Sequence, residues 1–139
     1  MEQGVYESVT HSGTCQDCGA ELECQGVQAL VGGRPRWDVE SVCSACGCAV
    51  AVCGGDLPDE RRDQLLAEHG PATLRVTGAP ASSAVIMRVL RAELGVDQVN
   101  AKILLRRVLS GDHSGTLPEM ELLARSLRTS GIAAPATRP

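Results

Sequence analysis

The chain has 139 residues and a formal net charge of −4, and it contains only two aromatic side chains, Tyr6 and Trp37. Its cores must therefore be aliphatic, and a domain of about 50 residues built in this way usually needs a metal ion or disulfides for stability. No apolar stretch is long enough to cross a bilayer. The first residues include Glu2 and Glu7 and no apolar signal-peptide region, so we expect a cytoplasmic protein without membrane attachment.

Charge is distributed unevenly along the chain. Residues 1–55 contain two arginines and seven acidic side chains, for a net charge of −5, whereas residues 56–139 are close to neutral. The shift coincides with Gly54-Gly55. It predicts an N-terminal domain over residues 1–55, a linker helix over residues 56–70 and a second domain over residues 71–139.

Two matched half-sites dominate the N-terminal part, Cys15-Gln-Asp-Cys18-Gly19 and Cys43-Ser-Ala-Cys46-Gly47. Two thiolates at this spacing can hold one ion from a single tight turn, and in a cytoplasmic chain the pattern favours metal ligation over disulfides. The alternating residues between the two motifs, with Gly32-Gly33 as a turn signal, predict a β-hairpin. A third strand is predicted over Cys48–Cys53.

This arrangement over residues 13–53 resembles the zinc-ribbon family. The resemblance implies one structural zinc ion with the ligands Cys15, Cys18, Cys43 and Cys46. With four protein ligands such a site has no open position for hydrolytic chemistry. A redox role for the C-x-x-C pairs is the less favoured alternative, because redox motifs of this type belong to βαβ units. We interpret Cys24, Cys48 and Cys53 as buried structural thiols, with a second metal site or a reactive thiol as alternatives.

Helical periodicity characterises the second half. Asp56 and Pro58 predict a helix start, Gly70-Pro71 its end, and Thr73–Val76 a short strand. From Ser82 onward, apolar stripes separated by Gly95, Gly111 and Gly131 predict three helices, the third opened by a capping box between Thr116 and Glu119. The stripes consist of Val85, Ile86, Val89, Leu90 and Leu94, then Ala101, Leu104, Leu105 and Val108, then Met120, Leu123, Ala124 and Leu127. Ile132-Ala-Ala is a candidate last strand before Pro135.

Residues 73–134 resemble the C-terminal domain of the bacterial ribosomal stalk protein, whose fold is shared with the ClpS degradation adaptors. The matching segments include Ala84–Arg91, Gly95-Val96, Ala101-Lys102 and Ser130-Gly131-Ile132. The overall expectation is thus an α+β protein, with a zinc-ribbon hairpin domain followed by a small stalk/ClpS-like α/β domain with three helices. The stalk resemblance implies a partner-binding surface with the residues Met87, Arg88, Arg91 and Lys102. A partner for it would be a protein with an acidic surface. A solvated helix face is the alternative reading of these charges.

No catalytic motif is visible: the three histidines are isolated in sequence, and neither a phosphate-binding loop nor a nucleophile elbow occurs. We therefore expect no enzymatic activity. The favoured hypothesis is a non-catalytic protein-binding adaptor, of which an antitoxin or immunity protein is a specialised form. The alternatives are a nucleic-acid or transcription accessory protein and a thiol- or metal-responsive sensor. Nucleic-acid binding is disfavoured by the acidic ribbon, where only Arg34, Arg36 and Trp37 at the hairpin tip point to it.

Overall fold

A computed structural model describes residues 4–76 and 83–138 of the chain. The chain divides into two compact units, Met1–His69 and Gly70–Pro139. Among the described residues, the first contains an antiparallel sheet and one helix, and the second contains three helices and three short strands. The predicted α+β fold class is confirmed.

The N-terminal unit is a four-stranded antiparallel meander. Its strands β1 to β4 are neighbours in chain order and span Val5–Thr14, Glu21–Val31, Arg34–Val42 and Ala49–Gly55. Three of these strands follow the predicted pattern, whereas β1 was not predicted. Its alternation is weak, because Glu7 occupies a buried position between Val5 and Val9.

One helix covers part of this sheet. Helix α1, Asp59–His69, begins three residues after the predicted start at Asp56. Its only buried residue, Leu65, is fully enclosed and packs against Val9 and Trp37. The indole of Trp37 lies over Gly26, which has no side chain to obstruct it. The predicted linker helix is thus part of the small apolar core of the N-terminal unit.

The C-terminal unit packs three helices on a small sheet. Helices α2 (Ser83–Leu94), α3 (Gln98–Ser110) and α4 (Leu117–Thr129) bury most of the predicted stripes. Val85, Leu104 and Leu105 are only partly buried, and Leu94 is 42% exposed near the end of α2. The predicted helix start at Ser82 lies outside the described residues. The capping box of α4 is confirmed, since Thr116 and Glu119 each accept a hydrogen bond from the other's backbone N–H.

The strands of this unit differ from the prediction. Strand β5 covers Ala72–Leu74 and pairs antiparallel with both β6 (Ser114–Gly115) and β7 (Ala136–Thr137). The last strand therefore follows Pro135, and the prediction that placed it at Ile132-Ala-Ala is wrong. Ile132 and Ala134 are instead buried in the core as they cross from α4 to the sheet. A two-residue strand gives no periodicity that a sequence could show.

Candidate functional site

The two C-x-x-C motifs form matching turns. The first connects β1 to β2 and the second connects β3 to β4. In each turn the glycine N–H donates to the carbonyl of the first cysteine, from Gly19 to Cys15 and from Gly47 to Cys43, both at 2.8 Å. Both glycines have a positive φ, 75° and 77°, a conformation that side chains of L-residues disfavour. The local sequence therefore builds the same knuckle twice.

The sheet brings the two knuckles together. The sulfurs of Cys15 and Cys46 are 3.7 Å apart and those of Cys18 and Cys43 are 3.5 Å apart. All four sulfurs lie within 4.8 Å of one another, and among the described residues no other group of three or more His, Cys, Asp or Glu side chains is arranged in this way. One cysteine of each knuckle, Cys15 and Cys43, is buried, and the other is exposed. The arrangement could hold one metal ion.

The electrostatics of the four thiols favour a cation. The N–H groups of Cys46 and Ala45 lower the pKa of Cys43 to about 7. The N–H of Ala20 lowers the pKa of Cys18, but the neighbouring thiols, first that of Cys43, raise it to about 12. Four thiolates so close together repel one another, so they can ionise together only around a positive ion. Metal binding must then release protons, and the metal affinity must fall as the pH decreases.

The other three cysteines lie outside this cluster. Cys24 is buried in β2, Cys48 is half-buried and Cys53 is exposed on β4. The interpretation as buried thiols is therefore correct for Cys24 and wrong for Cys53, because β4 lies at the edge of the sheet and buries none of its residues. The Asp17 carboxylate beside Cys48 raises the pKa of that thiol to about 11, which makes it a poor nucleophile at neutral pH.

A second candidate site is an open groove on the C-terminal unit. Its volume is about 660 Å³, and it follows α2 to the turn before α3. Three of the four predicted partner-binding residues, Met87, Arg88 and Arg91, line it, and among the described residues no acidic side chain does. The fourth, Lys102, is exposed on α3 but does not contribute to the lining. The remaining lining residues are small or uncharged: Ala84, Ala92, Gly95, Val96 and Gln98.

The side chains at the hairpin tip are poorly suited to nucleic-acid binding. Trp37 is 5% exposed within the core, so its indole is not available to stack on a base. The guanidinium of Arg36 is paired with Asp38, with 2.9 Å between Nε and Oδ1. Arg34 is exposed in the same strand. Two of the three side chains that suggested nucleic-acid binding, Trp37 and Arg36, therefore make contacts within the protein and are not free to bind a nucleic acid.

Comparisons with known proteins give no relative: no family model, curated protein or solved structure matches the chain. The stalk/ClpS-like identity of the C-terminal unit therefore stays a prediction. None of the described helices is long and apolar enough to cross a membrane.

Proposed function

We propose that the protein is a non-catalytic, zinc-stabilised module that binds an acidic surface of another protein. Its N-terminal unit would fold around one structural zinc ion, and its C-terminal unit would present the binding surface. The observation that carries the proposal is the groove on α2, which Met87, Arg88 and Arg91 line together and to which no acidic side chain of the described residues contributes.

The choice of zinc rests on ligand chemistry and distance. Four cysteine thiolates in two C-x-x-C knuckles are a common ligand set for structural zinc. With Zn–S bonds of about 2.3 Å, sulfurs at the corners of a tetrahedron lie about 3.8 Å apart. The two short sulfur pairs, at 3.5 and 3.7 Å, fit this spacing. Since the ligands fill all four positions, the role of the ion is to fix the fold.

The zinc assignment has a direct test. Mass spectrometry under native conditions should find one zinc per chain in protein prepared under reducing conditions, and Cys18→Ser should lose it. Cys53→Ser is the matched control and should keep the ion, because Cys53 is exposed on β4 and lies outside the cluster. No bound metal in the wild type, or full zinc retention in Cys18→Ser, would contradict the assignment.

The groove is suited to an acidic protein partner. Arg88 and Arg91 are both exposed, and neither forms an ion pair with a described residue. Glu93, the acidic residue of the same helix, accepts a hydrogen bond from Ser126 at 2.9 Å and does not line the groove. Unpaired cations near an apolar side chain favour binding in two ways. The charges raise the association rate with an acidic partner, and the apolar side chain slows dissociation once it is buried.

The partner test compares charge reversals that differ only in position. The native partner is captured with the wild-type protein and identified, and its association rate is then measured as a function of salt. Arg91→Glu should slow association by about tenfold and weaken its salt dependence. Arg106→Glu, an equal charge change at an exposed position of α3 outside the groove, should have a much smaller effect. Met87→Ala should mainly accelerate dissociation. Equal effects of the two arginine variants would contradict a binding role for the groove.

A further inference from the structure

The two edges of the N-terminal sheet differ in how they are covered. At the β1 edge, side chains of α1 reach the strand: Gln64 Nε2 donates to the carbonyl of Thr10 at 2.8 Å, and His69 Nε2 donates to that of Ser8 at 2.7 Å. Strand β4 forms the other edge, pairs with no strand of the described residues except β3, and has all seven residues exposed. Edge strands carry a row of unpaired N–H and C=O groups that can template another strand.

Strand β4 also lacks the features that usually protect such an edge. Its sequence, Ala-Val-Ala-Val-Cys-Gly-Gly, contains no charge and no proline, although charged residues and proline are the common means of blocking edge pairing. Val50 and Val52 are 48% and 57% exposed. Residues 1–55 carry a net charge of −5, whereas the β4 edge is uncharged and apolar.

The free length of this edge is defined at both ends. The second cysteine knuckle closes at Cys48, whose carbonyl accepts from the N–H of Cys43. At the other end, the pairing register with β3 shifts, and the N–H of Gly54 donates to the Asp38 carboxylate at 2.8 Å. The regular stretch that remains is Ala49–Cys53, with Ala51 at its centre.

This stretch is self-complementary about Ala51. A two-fold axis perpendicular to the sheet at Ala51 pairs Val50 with the partner's Val52 and Ala49 with the partner's Cys53. Directly opposed residues of antiparallel strands share a face, so valine meets valine on one face and small side chains meet on the other. β-Branched pairs of this kind stabilise neighbouring strands. No like charges are brought together between the two strands, because the strand has none.

The valine face continues into a cleft of the same unit. Val50 and Val52 line a cleft of about 380 Å³ together with Leu22, Cys24 and Val39 of the same sheet face, and polar residues that include Gln16 and Asp17 complete its lining. Pairing of two copies through β4 would bring the apolar residues of the two clefts next to each other across the axis. Exposed apolar patches of this kind are characteristic of protein interfaces.

We propose that the chain forms a two-fold symmetric dimer by antiparallel pairing of β4 with β4 of a second copy, giving one continuous eight-stranded sheet. The proposal does not rest on the basic groove, which belongs to the other unit. Closed two-fold interfaces are the commonest form of homo-oligomer. Strand addition at a free sheet edge supplies main-chain hydrogen bonds, and the alternate side chains set the register.

The first test is the oligomeric state of the full, zinc-loaded chain, measured by sedimentation over a range of concentrations. The wild type should show a concentration-dependent dimer. Val52→Lys should raise the dimer dissociation constant by about tenfold or more, since it replaces valine in both Val50–Val52 pairs and places two lysines diagonally across the axis on the same face. Val31→Lys is the matched control: it adds the same charge at an exposed valine of β2, away from β4, and should leave the dimer intact. A wild type that is monomeric throughout, or a dimer equally stable in Val52→Lys, would overturn the proposal.

The second test fixes the register and does not depend on the folding of the lysine variant. In the Cys53→Ser background, Ala51→Cys places the new thiols of the two copies opposite each other on the axis. Mild oxidation of the zinc-loaded protein should give a covalent dimer through residue 51, identified by peptide mass analysis. Val31→Cys in the same background should remain monomeric under denaturing, non-reducing conditions. Equal cross-linking at both positions, or none at residue 51, would overturn the pairing.

Discussion

At the scale of single residues, the missing side chain of Gly26 determines where Trp37 can lie. A Cβ at this position would overlap the six-membered ring of the indole, and the ring is almost fully buried. We expect Gly26→Ala to destabilise the N-terminal unit by about 1–3 kcal/mol, the usual cost of overpacking. The measurement is denaturant unfolding of the zinc-loaded chain followed by the fluorescence of Trp37, which is the only tryptophan.

A second glycine in the same sheet provides the control. A Cβ at Gly55 would meet nothing closer than the Trp37 carbonyl oxygen at 4.0 Å, and the backbone there does not require a positive φ. Gly55→Ala should therefore change the stability much less. If the two variants lose equal stability, the contact between Gly26 and the indole is not the cause.

His113 should make the C-terminal unit sensitive to acid. Neither of its ring nitrogens has a hydrogen-bond partner among the described residues, and burial, aided by Arg107, lowers the pKa of its imidazole below the usual 6.5. Because the unfolded chain then binds the proton more readily, the contribution to stability is complete above about pH 6.5 and is lost as the pH falls below it. Helical circular dichroism during denaturant unfolding, measured between about pH 7 and pH 5, should show this loss in the wild type.

The variant that tests this prediction is His113→Leu, because the leucine side chain cannot bind a proton. Its stability should fall less between the same pH values, while any effect of zinc loss on the N-terminal unit is common to both proteins and cancels in the comparison. An identical pH dependence in the wild type and in His113→Leu would remove His113 as the source of acid sensitivity.

At the scale of elements, the capping box fixes the start of α4. Thr116 is 1% exposed, and its hydroxyl accepts from the N–H of Glu119 at 3.4 Å. Thr116→Ala should cost about 1–2 kcal/mol of unfolding free energy, because the cap is lost and a backbone N–H loses its partner. Thr129→Ala is the control on the same helix: its hydroxyl only donates back to the Arg125 carbonyl, and its loss should change the stability by no more than about 0.5 kcal/mol. Equal losses would contradict the assignment of the cap.

The elements that the sequence predicts well are those whose determining residues lie within one short segment of the chain. The apolar stripe of α4 and its Thr116–Glu119 box lie within one segment, and the structure confirms both. Strand β1 was not predicted because Glu7 interrupts its alternation of apolar and polar residues. The Glu7 side chain is buried, and its Oε2 lies 4.0 Å from Nδ1 of His69. Strands β6 and β7 have two residues each, and their pairing with β5 is a consequence of tertiary packing alone.

The same distinction applies to the candidate sites across the whole molecule. The cysteine cluster is predictable because each knuckle is local and only one sheet has to bring the two together. The groove was predictable in part: Met87, Arg88 and Arg91 share one helix, whereas Lys102 belongs to α3, whose rotation depends on how the helices pack. The free edge at β4 required the strand order, which no local pattern contains.

The whole molecule should lose its two units in separate steps when the metal is removed. The free energy of zinc binding at structural sites is on the order of 10–16 kcal/mol near neutral pH. The core of the N-terminal unit consists of little more than Val9, Trp37 and Leu65 and should not hold the fold without it. A chelator should therefore unfold this unit, with a change in Trp37 fluorescence and loss of only that helical signal contributed by α1. The signal of α2, α3 and α4 should persist, since their core is formed within Gly70–Pro139. Addition of zinc should restore the fluorescence. If the helical signal disappears together with the Trp37 transition, the two units fold as one cooperative structure.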